Sequence, residues 1–67
     1  MAVLKVIEIM ASSEKSWEDA VKNAVATANK TLKGIRSAYV QDQSVVVKDG
    51  VVSEFRVTCK IAFEVFE

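Results

Sequence analysis

The sequence has no histidine and only one cysteine in 67 residues, and these two shortages exclude much of the chemistry open to a small protein. Without an imidazole there is no Ser-His or Cys-His nucleophile pair, no histidine metal ligand and no ordinary side chain that changes charge near neutral pH. With a single thiol, Cys59, neither a disulfide framework nor a cysteine-based zinc site can form within one chain. Cys59 falls on the apolar side of an alternating segment and reads as a small core hydrophobe. A charge surplus is missing too. Nine Lys and Arg balance nine Asp and Glu, so no global field draws the chain to nucleic acid or to an anionic membrane. No apolar run reaches the length of a membrane span. The short apolar stretch near the N-terminus is interrupted by Lys5 and Glu8, which is a strand pattern rather than a signal sequence. Carboxylates at catalytic spacing and a glycine-rich phosphate loop are also lacking. The expectation is a soluble, cytoplasmic protein that is not an enzyme.

What the sequence does have is one long, one-sided strand. From Val51 to Val65 every odd position is apolar except Ser53, and most even positions are polar. At about 3.3 Å per residue such a strand runs to roughly 50 Å, more apolar length than a chain of this size covers with its own helix. A single core of this size is marginal without disulfides, metal or assembly. Copies of the same chain are the cover that remains.

The rest of the chain supplies a partial lid. Ala2 to Met10 is rich in β-branched residues and reads as a first strand, apolar on both faces and therefore covered on both. A polar bend over Ala11 to Lys15 follows, and Ser16 caps a helix with Asp19 as its capping-box partner. Apolar residues at Trp17, Ala20, Val21, Ala24, Val25, Ala28 and Leu32 make one helix face. Glu18 and Asp19 at its start, Lys30 and Lys33 at its end, and Gly34 as C-cap match helix polarity. A second strand runs from Ile35 to Lys48, and Asp49-Gly50 is a hairpin turn signal leading into the third. The fold class is α+β in β-α-β-β order, a three-stranded antiparallel sheet partly wrapped around one helix, with residues 1–67 forming one domain.

The opening strand running into Ser12-Ser13-Glu14, the helix start Ser16-Trp17-Glu18-Asp19-Ala20, the helix end Lys30-Thr31-Leu32, and the closing strand Glu54-Phe55-Arg56-Val57 through Ala62-Phe63-Glu64 together resemble the dodecins. These small β-α-β-β proteins assemble into hollow dodecamers and bind flavins. The resemblance covers essentially the whole chain and implies a homododecamer; the number twelve comes from it alone. It also implies a cofactor site at Ser37, Asp42, Gln43 and Arg56, to which strand parity adds Tyr39 as a substitute stacking ring. Two of these depart from the family pattern. Ser37 stands where flavin-binding dodecins carry the tryptophan that stacks on the isoalloxazine ring, and Arg56 stands where they carry a glutamine that bonds its polar edge. Tyr39 shares the strand parity of Ser37, whereas Asp42 has the opposite parity. Asp42 and Ser37 can serve one ligand only through a bulge or across a subunit boundary.

The functional expectation is a dodecin-like storage protein for a small ligand, with FMN or a related flavin as the family's ligand and a weakened pocket for it. Arg56 reads either as a salt-bridge partner or as a grip on a planar ring or phosphate. The alternative is a hard cation such as calcium held at subunit interfaces by Asp42, Glu54 and Glu64, or an assembly with no ligand.

Overall fold

The computed structural model describes residues 3–65 and follows the expected order: β1 is Leu4–Ser13, α1 is Trp17–Ala28, β2 is Ile35–Lys48 and β3 is Val51–Glu64. Both strand pairings are antiparallel, in the spatial order β1-β3-β2. The alternating C-terminal segment is thus the central strand, with a ladder on each side. Its odd residues meet the helix: Val57, Cys59 and Ile61 are completely buried, packed with Ala20, Ala24 and Ala28 of α1. Alanine has no side chain beyond Cβ, so this stripe brings the helix close to the sheet. Ile7, Ile9, Val21, Leu32, Ile35 and Val40 close the margins of the core.

The helix start is built as the sequence suggests, with one difference. Ser16 Oγ accepts from the Asp19 backbone N–H at 3.0 Å, satisfying one of the unpaired donors of the first turn. The Asp19 carboxylate, however, does not return to Ser16. Its Oδ2 accepts from Ser13 Oγ at 2.6 Å, and Ser13 Oγ in turn accepts from the Lys15 N–H at 2.9 Å. Ser13 is buried, so this pair of bonds fixes the sharp step from β1 to α1.

Two boundaries differ from the sequence reading. β1 continues through Ala11, Ser12 and Ser13, because β3 offers them partners in register at Val57, Arg56 and Phe55; a ladder with an open place overrides the polar composition of the segment. Of the residues assigned to this strand, Ala2 lies outside the described set. The helix ends at Ala28, one turn before Leu32. Asn29 is still right-handed, and Thr31 and Leu32 both donate to the Ala28 carbonyl at 3.2 and 3.0 Å. Leu32 keeps the apolar periodicity because this tightened turn still presses it against the core, not because the helix reaches it. Lys30 and Lys33 therefore lie beyond the last helical turn, which carries no basic residue. Gly34 has φ +73°, and its left-handed conformation turns the chain into β2. The hairpin turn has φ +51° at Asp49 and +75° at Gly50, the two positive values of a type I′ turn.

Size sets the exposed remainder. A 12-residue helix is about 18 Å long, while the molecule extends 50 × 20 × 13 Å. β1 stops at Ser13, opposite Phe55. Beyond that row β2 and β3 continue as a two-stranded arm, where Val47, Val51 and Val52 are exposed. Leu4, Val6 and Met10 are exposed on the side of β1 turned from the helix.

Truncating the buried Ile61 to alanine is expected to cost about 2–5 kcal/mol, read from chemical denaturation at fixed protein concentration; a loss well under 1 kcal/mol would show that the core is not packed as described. Gly50 has open space around its Cα, yet Gly50→Ala is expected to cost about 1 kcal/mol through its positive φ alone.

Candidate functional site

The side of the sheet turned from α1 is the candidate site, and three irregularities of pairing determine what lies on it. Residues directly opposite one another in antiparallel strands share a face. Along β2, Ser37 lies opposite Ala62, Tyr39 opposite Lys60, Asp42 opposite Thr58, Ser44 opposite Arg56 and Val46 opposite Glu54. The register shifts between Ile35 and Ser37, between Val40 and Asp42, and between Val46 and Val47. The second shift is decisive. Gln41 is the extra residue, and skipping it moves Asp42 from the face of Val40 to that of Tyr39. Ser37, Tyr39, Asp42 and Arg56 consequently share one open face, which resolves their conflicting parity through a bulge within one chain. The same step sends Gln43 to the helix side, opposite Val57, away from the other four.

β1 completes the face with Val6, Glu8, Met10 and Ser12, opposite Ala62, Lys60, Thr58 and Arg56. The open face is thus mainly hydroxyl-bearing and charged in its middle and apolar along its β1 margin. Tyr39 is 66% exposed, with its ring free to meet a flat partner. Arg56 is half-buried, and among the described residues it makes no ion pair; the pairs present are Lys22 with Glu18 and Arg36 with Glu64, each at 3.6 Å. Thr58 and Lys60 share the face of Arg56 by alternation along β3, as the sequence indicates, whereas Ser12 and Ser44 were not singled out from the sequence. The place of the two serines beside Arg56 depends on register, for which a bulge at a glutamine gives no compositional signal.

The three acidic candidates for a cation lie on this face but far apart. Asp42 sits in the row of Thr58, roughly 13 Å along the strand from Glu54 and roughly 20 Å from Glu64, and Glu64 is engaged by Arg36. No group of three metal-ligating side chains occurs among the described residues. Within one chain these carboxylates cannot close on one ion. The groove of about 450 Å³ at the far end of the sheet, lined by Lys5, Leu32, Lys33, Phe63 and Val65 with Glu64, contains none of the flavin-site candidates.

A sequence profile of the Dodecin family matches residues 3–66. The chain belongs to the dodecin family. Among its relatives, the calcium dodecin of Mycobacterium tuberculosis H37Rv is 34% identical over 64 residues, covering 96% of this chain and 90% of that protein. The dodecin of Streptomyces coelicolor superposes with a TM-score of 0.94 at 29% identity, over 98% of this chain and 94% of that one. A mutant of the Thermus thermophilus dodecin gives 0.94 at 28% identity, with both chains fully covered. The crystal structure of the M. tuberculosis calcium dodecin, described as having a novel calcium-binding site, gives 0.84 at 33% identity over 96% and 91% of the two chains. The dodecin fold therefore holds over the described residues. No helix among the described residues is long and apolar enough to cross a membrane.

Cys59 is the group whose ionisation the fold visibly alters: burial raises its pKa above the ordinary thiol value. A raised folded-state value means that folding favours the neutral thiol. This contribution is complete below the unfolded thiol's pKa and is lost as pH rises through the folded one. Thiol reagents are expected to leave Cys59 untouched at pH 8 in native protein and to label it in denaturant. Stability should fall above about pH 9 by more in the natural protein than in Cys59→Ala; equal falls in both would place the thiol outside the core.

Proposed function

We propose that this dodecin is a cytoplasmic storage protein that works as a hollow homododecamer and holds a small ligand on the open sheet face, with no catalytic role. The observation that carries the reading is the bulge at Gln41, which aligns Ser37, Tyr39, Asp42 and Arg56 on one face while the opposite face closes on the helix. Assembly supplies the cover that Val47, Val51 and Val52 lack. It also brings copies of the open face together, so that a planar ligand is held between two subunits.

Flavin is the family's ligand, and in this chain the ring-stacking position is Ser37. Stacking of a base-like ring on an aromatic side chain is worth about 1–3 kcal/mol per contact, so losing it from both sides of a ligand weakens binding by orders of magnitude. Tyr39 is the aromatic residue that remains on the face. Calcium is the second reading, favoured by the relative that bears calcium in its name. Here Asp42, Glu54 and Glu64 would come from different copies, because one chain does not gather them.

Following FMN fluorescence during titration with protein tests the flavin reading. Weak quenching is expected for the natural chain, with an affinity at least tenfold tighter in Ser37→Trp; unchanged emission in both at excess protein would overturn it. Calorimetric titration of chelator-treated protein with calcium tests the second reading. Heat that disappears in Asp42→Asn supports it, and the absence of saturable heat in the natural protein rejects it.

A further inference from the structure

Ser53 breaks the apolar run of odd positions in β3, and the register explains the exception. Pairing with β2 sets Val45 opposite Phe55 and Val46 opposite Glu54, then jumps to Val47 opposite Val52 and Lys48 opposite Val51. A single step along β2 thus corresponds to two along β3, and Ser53 is the extra residue. Its hydroxyl donates to the Val46 carbonyl at 3.2 Å, which pins the bulge where it occurs. Beyond it the parity of β3 changes: Val52 takes the helix-side face of Phe55, Val45 and Val47, while Val51 turns to the open face with Lys48.

The bulge lies where the chain's own core has ended. β1 stops opposite Phe55, and Trp17, the first residue of α1, meets that ring edge to face with centroids 5.2 Å apart. Val47 and Val52 form the next row on the same face, and they are 57% and 47% exposed. Among the described residues, neither joins the core or the hydrophobics packed against it. A regular ladder would make the same pairs with one residue fewer. Joining Val52 directly to Glu54 leaves Val46 opposite Glu54, Val47 opposite Val52, and Asp49-Gly50 in the turn. The extra residue therefore adds nothing to the pairing or to the turn. It adds direction, because a bulge bends its strand and increases the local twist.

An arm that projects past its own core determines where the next copy sits. Identical chains offer identical surfaces, and the rotation between neighbours decides whether an array closes or runs on as an open filament. The β1 side of β3 is also an unpaired edge before Phe55, and a bulge twists such an edge away from strand addition. We propose that the Ser53 bulge aims the hairpin arm, so that the row of Val47 and Val52 seats on a second copy of this chain at the angle at which the assembly closes. The occupant is a copy because the row continues the helix-side apolar face past Phe55 and Trp17, the face that this chain is too short to cover alone. Lys48 and Asp49 at the tip cancel, so the charge there selects neither a basic nor an acidic partner. The proposal rests on the reading that copies assemble, and adds the residue that orients them.

The experiment deletes Ser53, which preserves every pair of the hairpin, and compares the native mass of the variant with that of the natural chain while Trp17 fluorescence reports the fold of the protomer. The deletion is expected to reduce the species of parent mass at least tenfold, in favour of smaller species or open-ended heavier ones, with native Trp17 emission retained. Ser53→Ala keeps the extra residue but removes its bond to Val46. It should still reach the parent mass and dissociate at a lower guanidinium concentration than the natural chain. A deletion variant that assembles to the parent mass in full yield would overturn the proposal and leave assembly standing. If the deletion leaves Trp17 with the emission of unfolded protein, Ser53→Ala decides, and a dissociation midpoint equal to the natural chain's would overturn the proposal. A natural chain that keeps the mass of one protomer removes the assembly reading and the proposal with it.

Discussion

A long central strand packed on a short helix is the constraint from which the other features follow. The apolar face of β3 continues along a molecule 50 Å long, whereas α1 has 12 residues. The alanines of α1 allow close approach over Val57, Cys59 and Ile61, and among the described residues that contact is the buried core. At about 25 cal/mol per Å² of apolar surface, so narrow a core gives limited support against the entropy of ordering the chain. The valines of the hairpin arm and the apolar margin of β1 are surface that becomes favourable only when another copy covers it.

The same geometry divides labour between the two faces of the sheet. One face is committed to the helix, and the proposed ligand site is on the other. There the sheet presents Ser37, Tyr39, Asp42 and Arg56 together with Ser12, Ser44, Thr58 and Lys60. The helix supports this face from behind: Trp17 spans the inner side over Phe55 to the Ser44 carbonyl. The two faces of the sheet are thus linked through individual residues. Membership of the dodecin family places this arrangement within a known fold, while Ser37 and Arg56 give the open face its own polarity.

How much of this was legible in the sequence depended on whether the signal was local. The alternation of β3 and the Asp49-Gly50 turn were readable because each is written in adjacent residues. So was the Ser16 cap, although its partner Asp19 proved to bond Ser13, a contact set by the path of β1. The helix end was misplaced because Leu32 extends the apolar spacing into a turn that is no longer helical. Ser12 and Ser13 read as a bend, since their strand conformation comes from the open ladder of β3. The bulge at Gln41 has no glycine to mark it. Its only trace was the mismatch in parity between Ser37 and Asp42, and the side taken by Gln43 could not be fixed until the extra residue was located.

The account stands on the claim that this chain completes its core by assembly. The most direct measurement is the midpoint of denaturant unfolding over a hundredfold range of protein concentration, paired with native mass at each point. The midpoint should rise with concentration while the mass stays that of a large homo-oligomer. A midpoint independent of concentration, together with the mass of one chain, would contradict it.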